Sequence, residues 1–197
     1  KFPRCIAAIY RLGTPNILMQ AAYTVYIFGL NLILATFSDQ AVTVLGLYYK
    51  WQSFFFIPLG SMQTCIVPVV SYNYAARNIG RCKKTLVTAI VFGMALMFLG
   101  TLCFEIIPGP MLRVFSSDEK VIEIGVTAFR IIGISFIPLV SSLTFPVFFQ
   151  AVGWSLKSSL LTVFRTVVLF VPLAFIFSRI GGLDWFWLTF PVTDSLS

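Results

Sequence analysis

Long apolar runs separated by short polar or basic stretches dominate this sequence. A helix needs about 20 predominantly apolar residues to cross a bilayer, and five runs reach that length or come close to it while a sixth begins. We place the spans at about 17–37, 43–72, 86–107, 126–152, 160–177 and 185–197, with the last incomplete. The pattern predicts an all-α membrane protein, a six-helix transmembrane bundle.

Short polar, proline or glycine stretches separate the predicted spans. We expect turns at 38–40, 153–155 and 179–182, and Pro108 to end the third span. The segment 111–123 carries both signs of charge and is predicted to be an exposed loop or an interfacial helix. The second span contains two prolines, Pro58 and Pro68, where we expect it to bend.

Composition and charge support a membrane location. Charged residues make up 11% of the chain and hydrophobic residues 58%, whereas about a quarter of a soluble domain is charged. The net charge is +7. If the spans alternate in direction, eight basic residues share one side: Lys1, Arg4, Arg11, Arg77, Arg81, Lys83, Lys84 and Lys157. Arg113, Lys120 and Arg179 fall on the other side. The first side is therefore predicted to be cytoplasmic, and the charge needs no nucleic acid partner.

The sequence lacks the residue patterns that metal binding and enzymatic catalysis require. The chain has no histidine, and its four cysteines show no metal-binding spacing. No nucleophile and base form a recognisable set. We therefore predict no metal, no cofactor and no enzymatic activity.

Polar side chains inside the spans are candidates for function, because burying them in a bilayer is costly. On the first span, Gln20, Thr24 and Asn31 share one helical stripe, and Tyr23 flanks it. The stripe is expected to face protein or water. Two interpretations remain open: the residues line a substrate cavity, or they hydrogen-bond neighbouring helices.

The second span is polar on two faces. A rotation of 100° per residue places Lys50, Ser53, Ser61 and Thr64 on one side, with Gln52 and Gln63 nearly opposite. Two polar faces favour a position inside the bundle, so Lys50, Ser53, Gln52 and Gln63 join the cavity candidates. For Lys50 the alternatives are snorkelling to outer headgroups, a cavity cation, or a contact with a neighbouring helix, which we favour.

Charges in the later spans have separate interpretations. Arg130 is expected to snorkel outward, and Arg165 to form an interhelical ion pair or a carbonyl contact. Asp194 is the hypothetical partner of Arg165 in such an ion pair. No acid lies in the middle of the first five spans, so an ion-coupled mechanism would need its ionisable group elsewhere.

Several motifs together resemble the carboxy-terminal half of multidrug and toxic compound extrusion (MATE) transporters. The most specific match is GLYYKWQSF at 46–54, followed by Pro58, Pro68 and YNYAAR at 72–77. Further matches are GTP at 13–15 with LMQ at 18–20, FQAVG at 149–153 with Lys157, Arg165 in the next helix, and WLTFPVTD at 187–194. They cover nearly the whole chain in the family's order.

The resemblance implies helices seven to twelve of a twelve-helix, two-lobed exporter. The expected protein is then a fragment cut at both ends: residues 1–197 form the carboxy-terminal lobe, the last helix is truncated and the amino-terminal lobe is missing. NorM-like members carry a glutamate where this chain has Tyr23, so the chain is more similar to the MepA-like and DinF-like branch. That branch implies a coupling ion, Na⁺ or H⁺, bound in the missing lobe. Asn73 and Gln150 lie in family motifs and are expected, with Arg165 and Asp194, to have structural or gating roles.

The expected function is secondary active efflux of amphiphilic organic cations, such as drugs and dyes, by proton or sodium antiport as the two lobes rock. The expected location is the bacterial cytoplasmic membrane, with membrane lipid and the missing lobe as partners. Two alternatives remain: a lipid-linked oligosaccharide flippase of the same superfamily, with Lys50, Arg130 and Arg165 facing anionic headgroups, or a membrane interaction fragment that does not transport.

Overall fold

The computed structural model describes residues 2–196, except for the side chains of residues 2–9, 11, 12, 15, 16 and 155. Within that range the chain is helical, which confirms the all-α class. Eight α-helices and one π-helical segment follow in order: α1 (Phe2–Ala35), α2 (Asp39–Ala75), α3 (Ile79–Ile106), α4 (Pro108–Arg113), α5 (Glu119–Gly133), α6 (Phe136–Ala151), α7 (Ser155–Val163), the π-segment (Phe164–Phe170) and α8 (Val171–Leu196).

The first three helices are longer than the predicted spans. The turn predicted at 38–40 is displaced, because Ser38 caps α2 by accepting a hydrogen bond from the Ala41 amide at 3.1 Å. Asp39 therefore already lies in the first turn of the helix, where a negative carboxylate interacts favourably with the positive end of the helix dipole. α2 continues through both Pro58 and Pro68 as one helix.

The predicted fourth span consists of two helices. α5 begins at Glu119 and ends at Gly133, and α6 begins at Phe136 after a bend of 55°. Pro138 has no N–H to donate to the Ile134 carbonyl, which favours a break at this position. The segment 111–123 is exposed at 113–115, 117–120 and 123, as predicted, whereas Met111 and Leu112 of α4 and the residues at 121 and 122 are buried.

Four helical stretches of the described chain are long and apolar enough to cross a membrane, and α5 with α6 makes a fifth when the bent pair counts as one span. One of the four, Leu156–Leu196, has 41 residues. A straight helix of that length would rise about 60 Å, twice the thickness of the hydrocarbon core. Gly182 interrupts it with φ 71° and ψ −149°, a conformation that favours glycine. The stretch therefore has room for the fifth and sixth predicted spans, with the break inside 179–182.

Two basic connections meet at one end of the bundle, as the charge pattern predicts. The Ser71 hydroxyl of α2 donates to the Ala151 carbonyl of α6 at 2.7 Å, which brings the start of α3 and the start of α7 together. Lys83 and Trp154 line the same cleft there. At the other end, the Trp51 indole N–H donates to the Met111 carbonyl at 3.1 Å. The side chains of Arg4 and Arg11, and the whole of Lys1, lie outside the described residues.

A cluster of aromatic rings joins α2, α3, α5 and α6. The ring of Phe104 stacks on Phe129 with 4.6 Å between centroids and contacts Phe136 at 4.8 Å and Tyr48 at 6.3 Å. All four rings are buried. Tyr48 belongs both to this cluster and to the lining of the cavity described next, so the cluster fixes the position of the α2 face that borders that cavity.

Candidate functional site: an aromatic cavity with a buried ion pair

A cavity of about 280 Å³ lies between α1, α2, α6, the α7–π-segment and α8. Its walls combine aromatic rings, two amides, two threonines and two charged side chains. The lining residues are Met19, Gln20, Tyr23, Tyr26, Tyr48, Gln52, Phe56, Leu139, Leu143, Thr162, Arg165, Thr166, Phe170, Phe190 and Asp194. Of these, Gln20 and Tyr23 are exposed, so α1 forms the mouth of the cavity.

Five rings form a continuous aromatic wall. Tyr23 stacks on Tyr26 with 5.8 Å between centroids, and Tyr26 meets the edge of Phe170 at 4.8 Å. Phe170 contacts Phe190 at 4.9 Å, and Phe190 contacts Tyr48 at 5.4 Å. Each contact has the stacked or edge-to-face geometry that aromatic quadrupoles favour. The wall therefore runs from the exposed mouth to the buried interior and offers ring surfaces to a ligand.

The ion pair of Arg165 and Asp194 lies in the same cavity. An Arg165 guanidinium N–H donates to the carboxylate of Asp194, and the two side chains are 15% and 1% exposed. Arg165 belongs to the π-segment and Asp194 to the end of α8, so the pair connects the two helical arms on either side of Gly182. The structure thus contains the pairing that the sequence hypothesis proposed. Because both charges lie in the cavity, its formal charge is balanced.

A second, smaller cavity of about 180 Å³ lies beside the first, on the α6 side. Both are bordered by Met19, Leu143, Thr162 and Arg165, so these side chains separate the two spaces. Gln63 lines the smaller one, and its buried amide nitrogen has no hydrogen-bond partner among the described residues. Arg165 therefore faces a cavity on each side.

The polar stripe of α1 divides into two parts. Gln20 and Tyr23 line the larger cavity. The Thr24 hydroxyl instead donates to the Gln20 carbonyl at 3.1 Å, and the Asn31 amide donates to the Ile27 carbonyl at 2.8 Å. These bonds within α1 satisfy one donor of each side chain. The expectation that the whole stripe faces protein or water stays a prediction.

The two polar faces of α2 have different surroundings, as the 100° rotation predicts. Gln52 and Gln63 are half-buried, and each lines one of the two cavities. Lys50 and Ser53 are exposed on the opposite side. The Ser53 hydroxyl donates to the Tyr49 carbonyl at 2.8 Å, and Lys50 Nζ lies 4.8 Å from the centroid of the Phe115 ring. Lys50 thus contacts the connection between α4 and α5, and its contact with a neighbouring helix stays a prediction.

The two remaining candidates lie away from these cavities. The Asn73 amide donates to the Val69 carbonyl at 2.8 Å and lines a groove between α2 and α3. Gln150 is half-buried near the end of α6, where its backbone carbonyl accepts a hydrogen bond from the Gly153 backbone N–H at 3.1 Å. The structure therefore brings together Gln20, Tyr23, Gln52, Arg165 and Asp194, and leaves the other candidates outside the larger cavity.

Sequence reasoning missed several lining residues. Tyr26, Tyr48, Phe170 and Phe190 sit at apolar positions, where aromatic residues facing lipid look the same in sequence. Tyr26 had a usable signal, because it follows Tyr23 by three residues and so lies on the same face of α1. No group of three or more metal-binding side chains occurs among the residues that the structure describes.

Several helices that are long and apolar enough to cross a membrane define a multi-pass membrane protein. Residues 15–176 match the MatE family model, and the chain belongs to that family. This confirms the resemblance inferred from the motifs.

Curated relatives include the multidrug export protein MepA of two staphylococci. The chain is 23% identical to the Staphylococcus haemolyticus (strain JCSC1435) protein over 176 residues, which cover 89% of this chain and 38% of the relative. It is 22% identical to the Staphylococcus aureus (strain bovine RF122 / ET3-1) protein over 192 residues, which cover 97% and 42%. The chain therefore spans about two fifths of the length of these relatives.

Solved structures share the fold. The Vibrio cholerae MATE transporter VcmN in its bent form superposes with a TM-score of 0.91 at 17% identity, over 100% of this chain and 45% of VcmN. The outward-facing conformation of a multidrug resistance MATE family transporter of the MOP superfamily gives 0.90 at 22% identity, over 95% and 43%.

Proposed function

We propose that this chain is one lobe, helices seven to twelve, of a two-lobed secondary active exporter of amphiphilic organic cations, and that it acts in transport and not as an enzyme. The observation that carries the proposal is the aromatic wall that leads from Tyr23 at the mouth to the buried Asp194. Ring faces attract organic cations, most strongly where water is excluded. The named function of the staphylococcal relatives, multidrug export, supports the same assignment.

The size of the cavity indicates how a drug would sit. Its volume of about 280 Å³ lies just below the range of about 300–1,000 Å³ that is usual for pockets that enclose a drug-sized ligand. A dye or drug would therefore fill the mouth at Gln20 and Tyr23 and extend beyond it. The rest of the molecule would lie in a cleft completed by the second lobe.

The coupling ion, Na⁺ or H⁺, is proposed to bind in the second lobe. Within the described part of the chain, Asp194 is the carboxylate that borders the cavity, and Arg165 already balances its charge. A coupling site needs an ionisable group or a cage of carbonyls that gains and loses the ion during the cycle.

The flippase alternative requires cations that face an anionic headgroup. The described lining of the larger cavity includes Arg165, which is paired, and neither Lys50 nor Arg130. Ethidium efflux from cells that express the two-lobed transporter therefore tests the proposal, and rescue of a flippase-deficient strain tests the alternative. We expect efflux without rescue, and no efflux from this chain expressed alone, because alternating access needs two lobes. Rescue without efflux, or transport by the chain alone, would contradict the proposal.

Tyr23 at the mouth allows a sharper test. Replacing Tyr23 with leucine is expected to weaken ethidium binding about 5- to 30-fold, because a partly desolvated cation–π contact contributes about 1–2 kcal/mol. Ethidium fluorescence, titrated with the transporter in detergent, measures the change. Tyr23→Phe keeps the ring and should bind nearly as well as the wild type. Equal affinities of the leucine and phenylalanine variants would show that the ring does not contact the cation.

A further inference from the structure

Four basic residues, Arg77, Arg81, Lys83 and Lys84, surround the connection between α2 and α3. No acidic residue occurs in the sequence between Asp39 and Glu105. The positive charge at this end of the two helices therefore has no acidic side chain nearby along the chain to balance it. Basic residues at this end, by the charge pattern, face the cytoplasmic leaflet, where anionic lipids create a negative surface potential.

A groove of about 650 Å³ runs along the outside of the bundle between α2 and α3. Arg81 and Lys84 line one end of it, and Phe92 and Met62 line the other. Arg81 and Lys84 are three residues apart on α3, so they project from the same face of the helix. The groove is thus cationic where the helices connect and apolar farther along.

The groove has the length of one lipid leaflet. From Arg81 to Phe92, α3 rises about 16 Å. Half of the hydrocarbon core of a bilayer is about 15 Å thick. Val69 and Phe92 in the apolar part are 46% and 58% exposed, so the described chain leaves this surface open. A single acyl chain that lies in the groove would reach from the cationic end to the middle of the membrane.

We propose that this groove binds an anionic phospholipid of the cytoplasmic leaflet. The phosphate lies between Arg81 and Lys84, and one acyl chain lies along Val69 and Phe92. An amphiphilic cation, the proposed transport substrate, fits the apolar part but meets two like charges at the polar end. The lipid site therefore goes beyond the proposed efflux function and does not depend on it.

Native mass spectrometry of the purified chain in detergent tests the proposal. The chain is titrated with phosphatidylglycerol and with phosphatidylcholine of the same acyl composition. We expect tighter binding of phosphatidylglycerol. Arg81→Gln/Lys84→Gln should weaken phosphatidylglycerol binding about 30-fold and leave phosphatidylcholine nearly unchanged, because each basic residue near a membrane surface contributes about 1 kcal/mol.

The matched control removes the same charge from the same connection. Arg77→Gln/Lys83→Gln changes two cations that do not line the groove, so binding should change less than threefold. Cys65 is exposed and lines the apolar part of the groove. Cys65→Trp therefore fills the groove without changing any charge and should weaken the binding of both lipids.

Five results would overturn the proposal. Equal affinity for the two lipids would show that the headgroup makes no specific contact with Arg81 and Lys84. An equal loss of affinity in the control variant would show that binding depends only on diffuse surface charge. Unchanged lipid binding in Cys65→Trp would show that the acyl chain does not lie in the groove. Displacement of the lipid by equimolar glycerol 3-phosphate would show a plain phosphate site. Retention of phosphatidylglycerol by the two-lobed transporter is expected as well, and its absence there would show that the second lobe covers the groove.

Discussion

Replacing Asp194 with asparagine is expected to lower the free energy of unfolding of this chain by about 3–5 kcal/mol. The substitution keeps the shape of the side chain but removes the charge that balances Arg165. The guanidinium, whose side chain is 15% exposed, is then left without its carboxylate between the two cavities. Unfolding in mixed micelles with increasing sodium dodecyl sulfate measures the loss.

A double variant separates the ion pair from simple packing. In Arg165→Met/Asp194→Asn neither charge remains, so the total loss should be smaller than the sum of the two single losses by about 2 kcal/mol or more. Asp184→Asn, which changes an exposed carboxylate on the same helix, should have little effect. Additive losses from Arg165→Met and Asp194→Asn would mean that the two side chains do not stabilise each other.

Replacing Gly133 with alanine is expected to destabilise the chain by about 1–3 kcal/mol, towards the upper end of that range. A methyl group at Gly133 would lie 2.9 Å from Cβ of Phe104. That atom is fixed to the α3 backbone and cannot rotate away, so α3 and α5 would have to separate. Their separation would also strain the hydrogen bond from the Thr101 hydroxyl to the Gly133 carbonyl, now 2.9 Å. The same unfolding titration in mixed micelles measures the loss.

A second glycine provides the opposite expectation. Gly46 lies in α2, and a methyl group there would meet no atom within 4 Å. Gly46→Ala should therefore raise the free energy of unfolding by about 0.5–1 kcal/mol, because alanine loses less backbone entropy in a helix. Gains of similar size in both variants would indicate that helix propensity, and not the contact of α3 with α5, controls the result.

Much of the fold follows from the local pattern. The apolar runs had to be helices, because a bilayer leaves no other partner for the backbone of a single segment. The turn at 153–155 and the break within 179–182 were visible as glycine-containing polar stretches. The break between α5 and α6 was harder to predict. Pro138 signalled it, but α2 passes through Pro58 and Pro68 without ending, so proline alone does not decide where a membrane helix breaks.

The candidate site was predictable where charge or amide groups appear in an apolar context. Arg165 and Asp194 stood out because each would be costly to bury alone. The two faces of α2 followed from helical geometry, which separated Gln52 and Gln63 from Lys50 and Ser53. The roles of Thr24 and Asn31 did not follow, because a side chain that bonds its own helix looks the same in sequence as one that bonds a neighbour.

The sequence by itself determined that the chain is helical and crosses a membrane, which end of the helices is basic, and to which family it belongs. These properties depend on composition and on spacing along single helices. Only the tertiary structure decided that Tyr26, Tyr48, Phe170 and Phe190 line a cavity and that Arg165 meets Asp194 there. The reason is that helix packing brings together residues far apart in the chain, and an aromatic side chain suits the protein interior and the lipid equally well.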